Sequence, residues 1–394
     1  MATLPSIAMI PSGYKANKVY SVLPTDGSGD LDFARTSTAT RINSEGLVKE
    51  VLTGVPRLDY TDGGCPSLLL EPASINRVIN SAEGVKVSLP TSSTNTISPD
   101  GTNNAYIPLP NSTSNRYQQD IPAGTYATGQ KLTYSWYRKR ISTPTGDAVG
   151  DLDIKQLVNL TELEVSNARQ IETNINGFDR FEAVVQVIDG SLSSTFRAYF
   201  GSVVGVGNSS VAYWGHQFEA LNYATSYIPT LGTAQTRTAD SASKTGISSL
   251  INSSEGVFYT NIKMPLSIVQ NHWLTISDGT NQNAIGIVFE SNAKTTTRVE
   301  VAGATQFYET HTSDYSIYQK VAISWKLNEF KMFLNGVQIG STDTTGLVPS
   351  VGSLSQFQFA YSTNSSNFTF GECKDLRVFK TALTDSELTT LTTL

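Results

Sequence analysis

Cysteine and histidine are nearly missing from this chain. Two cysteines and three histidines occur among 394 residues. Cys65 and Cys373 stand far apart, without the close, repeated spacing of a disulfide framework or a zinc site, so both are read as free, buried thiols. His216, His272 and His311 are too scattered for a metal centre, and no His-Glu-x-x-His run occurs. Charge is scarce as well: 16% of residues are charged, against roughly 25% in an ordinary soluble domain. The formal net charge is -6 and the pI about 5.2, which excludes the basic stripe that a nucleic-acid partner requires. The one basic cluster, Arg138-Lys139-Arg140, ends a strand-like run and reads as a solvated strand end. No apolar run approaches the roughly 20 residues of a membrane span, so no membrane insertion is expected. The first residues, Met1 to Pro11, lack the basic flank and apolar core of a signal peptide. A serine-nucleophile elbow and a phosphate-cradling glycine loop are also missing.

What fills the gap is Ser, Thr, Asn and Gly, around a hydrophobic content of 39%. That is enough for packed cores, and the length suggests two or three domains. Short alternating runs recur between turn signals: Leu132 to Tyr137, Phe181 to Ile188, Thr195 to Phe200 and Val211 to Phe218, then Val257 to Ile262, Leu274 to Ser277, Ile285 to Phe289 and Arg298 to Val301. Ser98-Pro-Asp-Gly-Thr102 and Asp189-Gly190 supply turns. No long helical pattern interrupts them. The expected fold is all-β: two antiparallel β-sandwiches, a jelly roll and a concanavalin A-like or laminin-G-like sandwich, with a loop-rich N-terminal region. The expected division is 1-72, an attachment and oligomerisation region; 73-240, the jelly roll; and 241-394, the lectin-like sandwich.

Local signals sharpen the C-terminal part. Val321, Ile323, Trp325 and Leu327 share one face, Asn328-Glu329 can turn the chain, and Asn335-Gly336 is a strong hairpin signal because both residues accept positive φ. Two consecutive hairpins are predicted. A last strand at Leu376 to Phe379 leads to a short helix capped by Thr384, with Glu387 completing a capping box. In the middle part, Trp214, His216 and Phe218 fall on one face of an extended segment that Pro229 closes. Core packing is the plain reading of Trp214, and sugar stacking the alternative.

The segments Pro11-Ser-Gly-Tyr-Lys-Ala-Asn-Lys-Val-Tyr-Ser-Val-Leu-Pro24, Asp32-Phe-Ala-Arg-Thr-Ser-Thr-Ala-Thr-Arg-Ile-Asn43 and Pro56-Arg-Leu-Asp-Tyr-Thr-Asp-Gly-Gly-Cys-Pro-Ser-Leu-Leu-Leu-Glu-Pro72 resemble the opening of a family of bacteriophage structural proteins: tail, fibre or head-decoration components. Trp214-Gly-His-Gln-Phe-Glu-Ala-Leu-Asn-Tyr-Ala-Thr-Ser-Tyr-Ile-Pro-Thr230 resembles the close of their carbohydrate-binding-module-like jelly rolls. The run from Lys374-Asp-Leu-Arg-Val-Phe379 onward resembles the ending of laminin-G-like or concanavalin A-like lectin sandwiches. These resemblances imply a place on the virion exterior, other virion proteins as partners, and no catalytic residue.

Glycoside hydrolysis would need two carboxyls facing one groove, roughly 5 to 9.5 Å apart. Sandwich glucanases commonly place acids at alternate strand positions, and only Asp30/Asp32, Asp151/Asp153 and Glu162/Glu164 occur here, none extended to a third. No enzyme is expected. Glycan binding asks for an aromatic face and neighbouring polar groups. Tyr106, Tyr117, Trp136 and Tyr137 are candidates in the first sandwich. His272, Trp273, Phe307 and Tyr308 are candidates in the second, each with core packing as the competing reading. Calcium is the one candidate cofactor, held by Asp278 and Asn281. The Asp26 to Asp32 run misses the calcium-loop positions and reads as a turn. The expected function is non-enzymatic adhesion of a phage virion protein to bacterial surface polysaccharide. A purely structural component and a polysaccharide depolymerase are the alternatives. The apolar-poor N-terminal region points to a homo-oligomer, with a trimer drawn from fibre analogy.

Overall fold

A computed structural model of the chain describes residues 3–82, 93–108, 117–124, 126–141, 153–157, 168–187, 194–200, 211–265, 268, 270–361 and 364–394. The predicted turn at Asp189-Gly190 and the pair Glu162/Glu164 lie outside the described residues, as does Asp151. Strands dominate, and the pairings within the sheets are antiparallel. The all-β expectation holds.

The chain forms two units, neither continuous in sequence: residues 1–36, 52–72 and 239–394 make one, and residues 37–51 and 73–238 the other. The N-terminal stretch expected as a region of its own is thus divided between them. Its apolar residues enter cores shared with later parts of the chain.

In the first unit an eight-stranded sheet runs from Val337–Asp343 through Glu329–Leu334, Gln319–Lys326, Glu255–Lys263, Gly371–Phe379 and Ser67–Leu70 to Arg57–Asp59, with Ile7–Met9 paired on Gly371–Phe379. A nine-stranded sheet packs on it. Its order is Tyr14–Lys15, Lys18–Val19, Leu31–Ala34, Ser241–Thr245, Gln356–Gln358, His272–Ser277, Ala284–Glu290, Lys294–Val301 and Ala304–Thr312. The core between them takes Leu274, Ile276, Ile285, Ile287 and Phe289 from one sheet and Phe258, Ile323, Trp325, Met332 and Val378 from the other. Ile7, Met9, Leu31, Phe33 and Leu68 enter the same core from the N-terminal stretch.

Turn chemistry agrees with the sequence. Asn335 (φ 50°) and Gly336 (φ 86°) form the two-residue loop between Leu334 and Val337. The preceding loop is Leu327-Asn328, one residue earlier than expected, with Asn328 at φ 56°. Leu327 is therefore exposed in the turn while Val321, Ile323 and Trp325 are fully buried. The helix Asp385–Thr392 starts at Thr384 with the capping box to Glu387 in place. Of the cysteines only Cys373 is buried; Cys65 is exposed.

In the second unit a six-stranded sheet has the order Ser93–Thr96, Ala105–Pro108, Val211–Glu219, Lys131–Arg140, Phe178–Gln186 and Arg169–Ile175. One face packs Tyr106, Tyr134, Trp136 and Phe218 against Ile121, Phe196 and Ala198 of a three-stranded sheet. The other packs Tyr137, Phe178 and Trp214 with Ile42 and Val48 of the hairpin Ala39–Ile42/Val48–Val51.

Trp214 and Phe218 consequently lie on opposite faces, unlike the strict alternation expected. Gly215, at φ 65°, sits where the register against Lys131–Arg140 slips. Such a bulge inserts one residue and reverses the parity beyond it. His216 then joins Phe218's side, where its two ring nitrogens meet the Tyr106 and Tyr134 hydroxyls, both at 2.9 Å.

Candidate glycan-binding cleft

The outer face of the nine-stranded sheet carries the site. Period-2 alternation along His272–Ser277 sends His272, Leu274 and Ile276 inward and Trp273, Thr275 and Ser277 outward. The register continues that outer row across the next strands: Thr275 opposes Gly286, Gly286 opposes Arg298, and Arg298 opposes Tyr308.

Thr275, Gly286 and Arg298, with Trp273, Asn281, Ala284, Glu300 and Tyr361, line a shallow cleft open to solvent. Ala284 and Gly286 form its floor with Thr275. A side chain at Gly286 would begin 3.6 Å from Trp273 and Arg298, so any residue much larger than alanine fills the cleft. Trp273 and Tyr361 make the aromatic wall, their ring centroids 4.5 Å apart and their planes inclined by 55°. The Arg298 guanidinium lies 5.3 Å from the Trp273 ring centre, a cation–π contact that fixes both groups.

Polar groups surround the rings. Glu300 Oε1 accepts from Arg298 Nε at 2.8 Å, from Arg298 Nη2, and from Thr305 Oγ1 at 2.9 Å. Its Oε2 meets no protein donor among the described residues, which leaves an acceptor for a ligand hydroxyl. Asn281 donates from Nδ2 to the Tyr361 hydroxyl at 3.3 Å, closing the end of the cleft. The loop that carries Asn281 is shaped by Asp278, whose Oδ1 accepts from Thr280 N and Oγ1 and whose Oδ2 accepts from Asn283 Nδ2. Burial alone would raise the Asp278 pKa, but these bonds outweigh it and hold the carboxyl below its usual range. Both oxygens of the proposed calcium ligand are thus used to build the loop. Asp26 behaves alike, accepting from Ser28 N and Oγ.

Seven of the eight candidates separate by burial. Trp273 is half-buried in the cleft, and Tyr308 is 53% exposed three strands away. Five others are corrected to core positions. Tyr106, Trp136 and Tyr137 are at most 3% exposed and pack inside the second unit. His272 and Phe307 are the inward neighbours of Trp273 and Tyr308, since adjacent strand residues cannot both face outward. Phe307 stacks on Phe330 with centroids 5.7 Å apart. The His272 ring accepts from Phe370 N at 3.3 Å, and burial lowers its pKa to about 4. Tyr117 begins the strand Tyr117–Gly124, and its side chain lies outside the described residues.

Sequence reasoning did not find Tyr361, Arg298, Glu300 or Gly286. A glycine within a strand pattern signals close approach of a ligand or another backbone, so Gly286 offered a clue. Tyr361 gave none, because its contact with Trp273 is long-range.

No curated protein sequence matches the chain. Among solved structures, the CBM40 of the Ruminococcus gnavus IT-sialidase bound to alpha2,3 sialyllactose aligns with 36% of this chain and 83% of its own, at 15% identity and TM-score 0.32. Domain 4 of AbnA, a GH43 extracellular arabinanase from Geobacillus stearothermophilus, in complex with arabinotriose, aligns with 39% of this chain and 73% of its own, at 14% identity and TM-score 0.31. Domains LG4-5 of the mouse laminin alpha1 chain align with 77% of this chain and 93% of their own, at 9% identity and TM-score 0.24. Residues 264–389, which hold the cleft, match the family model of the concanavalin A-like lectin/glucanases superfamily.

Proposed function

We propose that this chain is a non-enzymatic adhesion protein on the exterior of a bacteriophage particle, binding bacterial surface polysaccharide through the Trp273–Tyr361 cleft. The observation that carries the binding is the cleft itself: an ordered aromatic wall beside Glu300, Arg298 and Asn281, over a floor kept low by Gly286. An aromatic face takes the apolar side of a sugar ring while the polar groups meet its hydroxyls. Among the described residues the cleft is lined by a single carboxylate, Glu300, whereas glycoside hydrolysis calls for two. The virion setting rests on the resemblance of the segments at 11–24, 32–43 and 56–72 to phage structural proteins. Other virion proteins are then its neighbours, and a homo-oligomer, a trimer by fibre analogy, would multiply weak sites into firm attachment.

The test is a printed array of bacterial surface polysaccharides, probed with the full chain and with Trp273→Ala. Binding that Trp273→Ala abolishes supports the proposal. No binding at any printing density favours a purely structural component, and release of new reducing ends favours a depolymerase.

A further inference from the structure

Beyond the cleft, the same outer face holds a second aromatic that no core contact requires. Tyr308 is 53% exposed, yet its side chain is not left to swing. Its hydroxyl donates to Glu290 Oε1 at 3.2 Å. That oxygen also accepts from Thr296 Oγ1 at 2.6 Å, and Thr296 is bonded in turn to Thr310 Oγ1 at 2.9 Å. Thr296 is buried at 1% exposure, so the network is anchored in the sheet. An exposed ring held in place by its tip has lost much of the freedom that a ligand would otherwise have to remove.

Tyr308 lies in register with the cleft. It is the direct cross-strand partner of Arg298, which opposes Gly286 of the floor. The strand carrying Tyr308 is three strands from the one carrying Trp273, a separation of roughly 14 Å at the usual strand spacing. Arg298, between them, turns its guanidinium toward Trp273 and pairs with Glu300. The cleft and Tyr308 therefore share one face of the sheet, along one row of cross-strand neighbours.

We propose that Tyr308 is a second sugar subsite, so that the ligand is an extended polysaccharide chain lying across the strands and not a single terminal sugar. This inference rests on the cleft being the glycan site. A ring seated at Trp273 and Tyr361 sets the register, and a later ring of the same chain rests on Tyr308. Linking the two contacts makes the second one intramolecular, so affinity rises with chain length until both are filled.

The experiment is calorimetric titration of the full chain with a length series of oligosaccharides, cut from the polysaccharide that gives the strongest array signal. Affinity is expected to rise and then level off once the oligomer reaches Tyr308. Tyr308→Ala should lose roughly threefold to tenfold in affinity for the long oligomers, the range expected of one aromatic platform, with no change for the shortest. Trp273→Ala should weaken every length. A Tyr308→Ala effect that is equal at all lengths, or no effect at any, overturns the second subsite. Unchanged binding in Trp273→Ala overturns the cleft reading itself. Thermal melting of Tyr308→Ala at the wild-type temperature excludes misfolding as the cause, since the side chain is exposed.

Discussion

Arg57 and Asp240 are 183 residues apart in sequence and meet as an ion pair with both side chains fully buried. The second Asp240 oxygen accepts from Arg35 Nη1 at 3.1 Å, and the second Arg57 terminal nitrogen pairs with Glu71. The Glu71 backbone N–H returns to Asp240 at 2.9 Å. Burial works against the Arg57 charge, but Asp240 and Glu71 hold its pKa above the ordinary arginine value. Arg35, Glu71 and Asp240 each stand within two residues of a point where the chain passes from one unit to the other. The network thus gathers, inside one unit, chain segments that the sequence order scatters.

Removing Asp240 leaves two buried guanidinium groups without their shared partner. Asp240→Ala is expected to cost about 3–5 kcal/mol, measured by denaturant unfolding of the first unit. The exposed pair Lys18–Asp32 is the control: Asp32→Ala should cost no more than about 1 kcal/mol.

Gly215 makes the bulge that divides Trp214 from Phe218. A Cβ there would stand 2.8 Å from the Tyr137 ring, on a backbone at φ 65°. Gly215→Ala is expected to destabilise the second unit by more than the roughly 1–2 kcal/mol of left-handed strain alone. Gly232, at φ 79° with nothing near its Cβ position, should show only that strain when changed to alanine. Unfolding curves of the two variants compare them directly.

Burial lowers the His216 pKa to about 3, against an ordinary value near 6.5. The folded state refuses a proton that the unfolded state accepts, so stability is complete above pH 6.5 and is lost as pH falls toward 3. At pH 5 this single group costs the second unit about 2 kcal/mol. His272, lowered to about 4, acts in the same direction on the first unit. His216→Gln keeps a donor and an acceptor between Tyr106 and Tyr134 without titrating. Thermal melts at pH 7 and pH 5 should therefore differ less in that variant than in the wild type.

Calcium is expected to leave the protein unchanged, since the Asp278 oxygens already accept three protein donors. Equal melting temperatures and equal glycan affinity with calcium and with a chelator are the predicted result.

Much of this was legible in residues near one another. The Asn335-Gly336 loop and the Thr384/Glu387 capping box depend on local chemistry, and both occur as read. Read from sequence, Trp273 is a binding candidate in a loop before the strand Leu274 to Ser277; the strand begins at His272 instead, and alternation then sets Trp273 on the face opposite Leu274. Pairings such as Leu31–Ala34 with Ser241–Thr245 were not legible, because a strand ladder is made by backbone groups that any side chain leaves in place. The same limit hid the cleft. Tyr361 reaches Trp273 only after Gln356–Gln358 has paired with His272–Ser277. Dipeptides such as His272-Trp273 and Phe307-Tyr308 look like twin candidates until parity gives one member to the core.

The most direct measurement uses the four tryptophans. Trp136, Trp214 and Trp325 are buried, while Trp273 is partly open to solvent, so collisional quenching of fluorescence by acrylamide reports chiefly on Trp273. Polysaccharide bound in the cleft should protect that fluorescence from the quencher, and Gly286→Val, which fills the floor, should abolish both the binding and the protection. Binding that leaves Trp273 as open to acrylamide as before would place the glycan elsewhere and contradict the account.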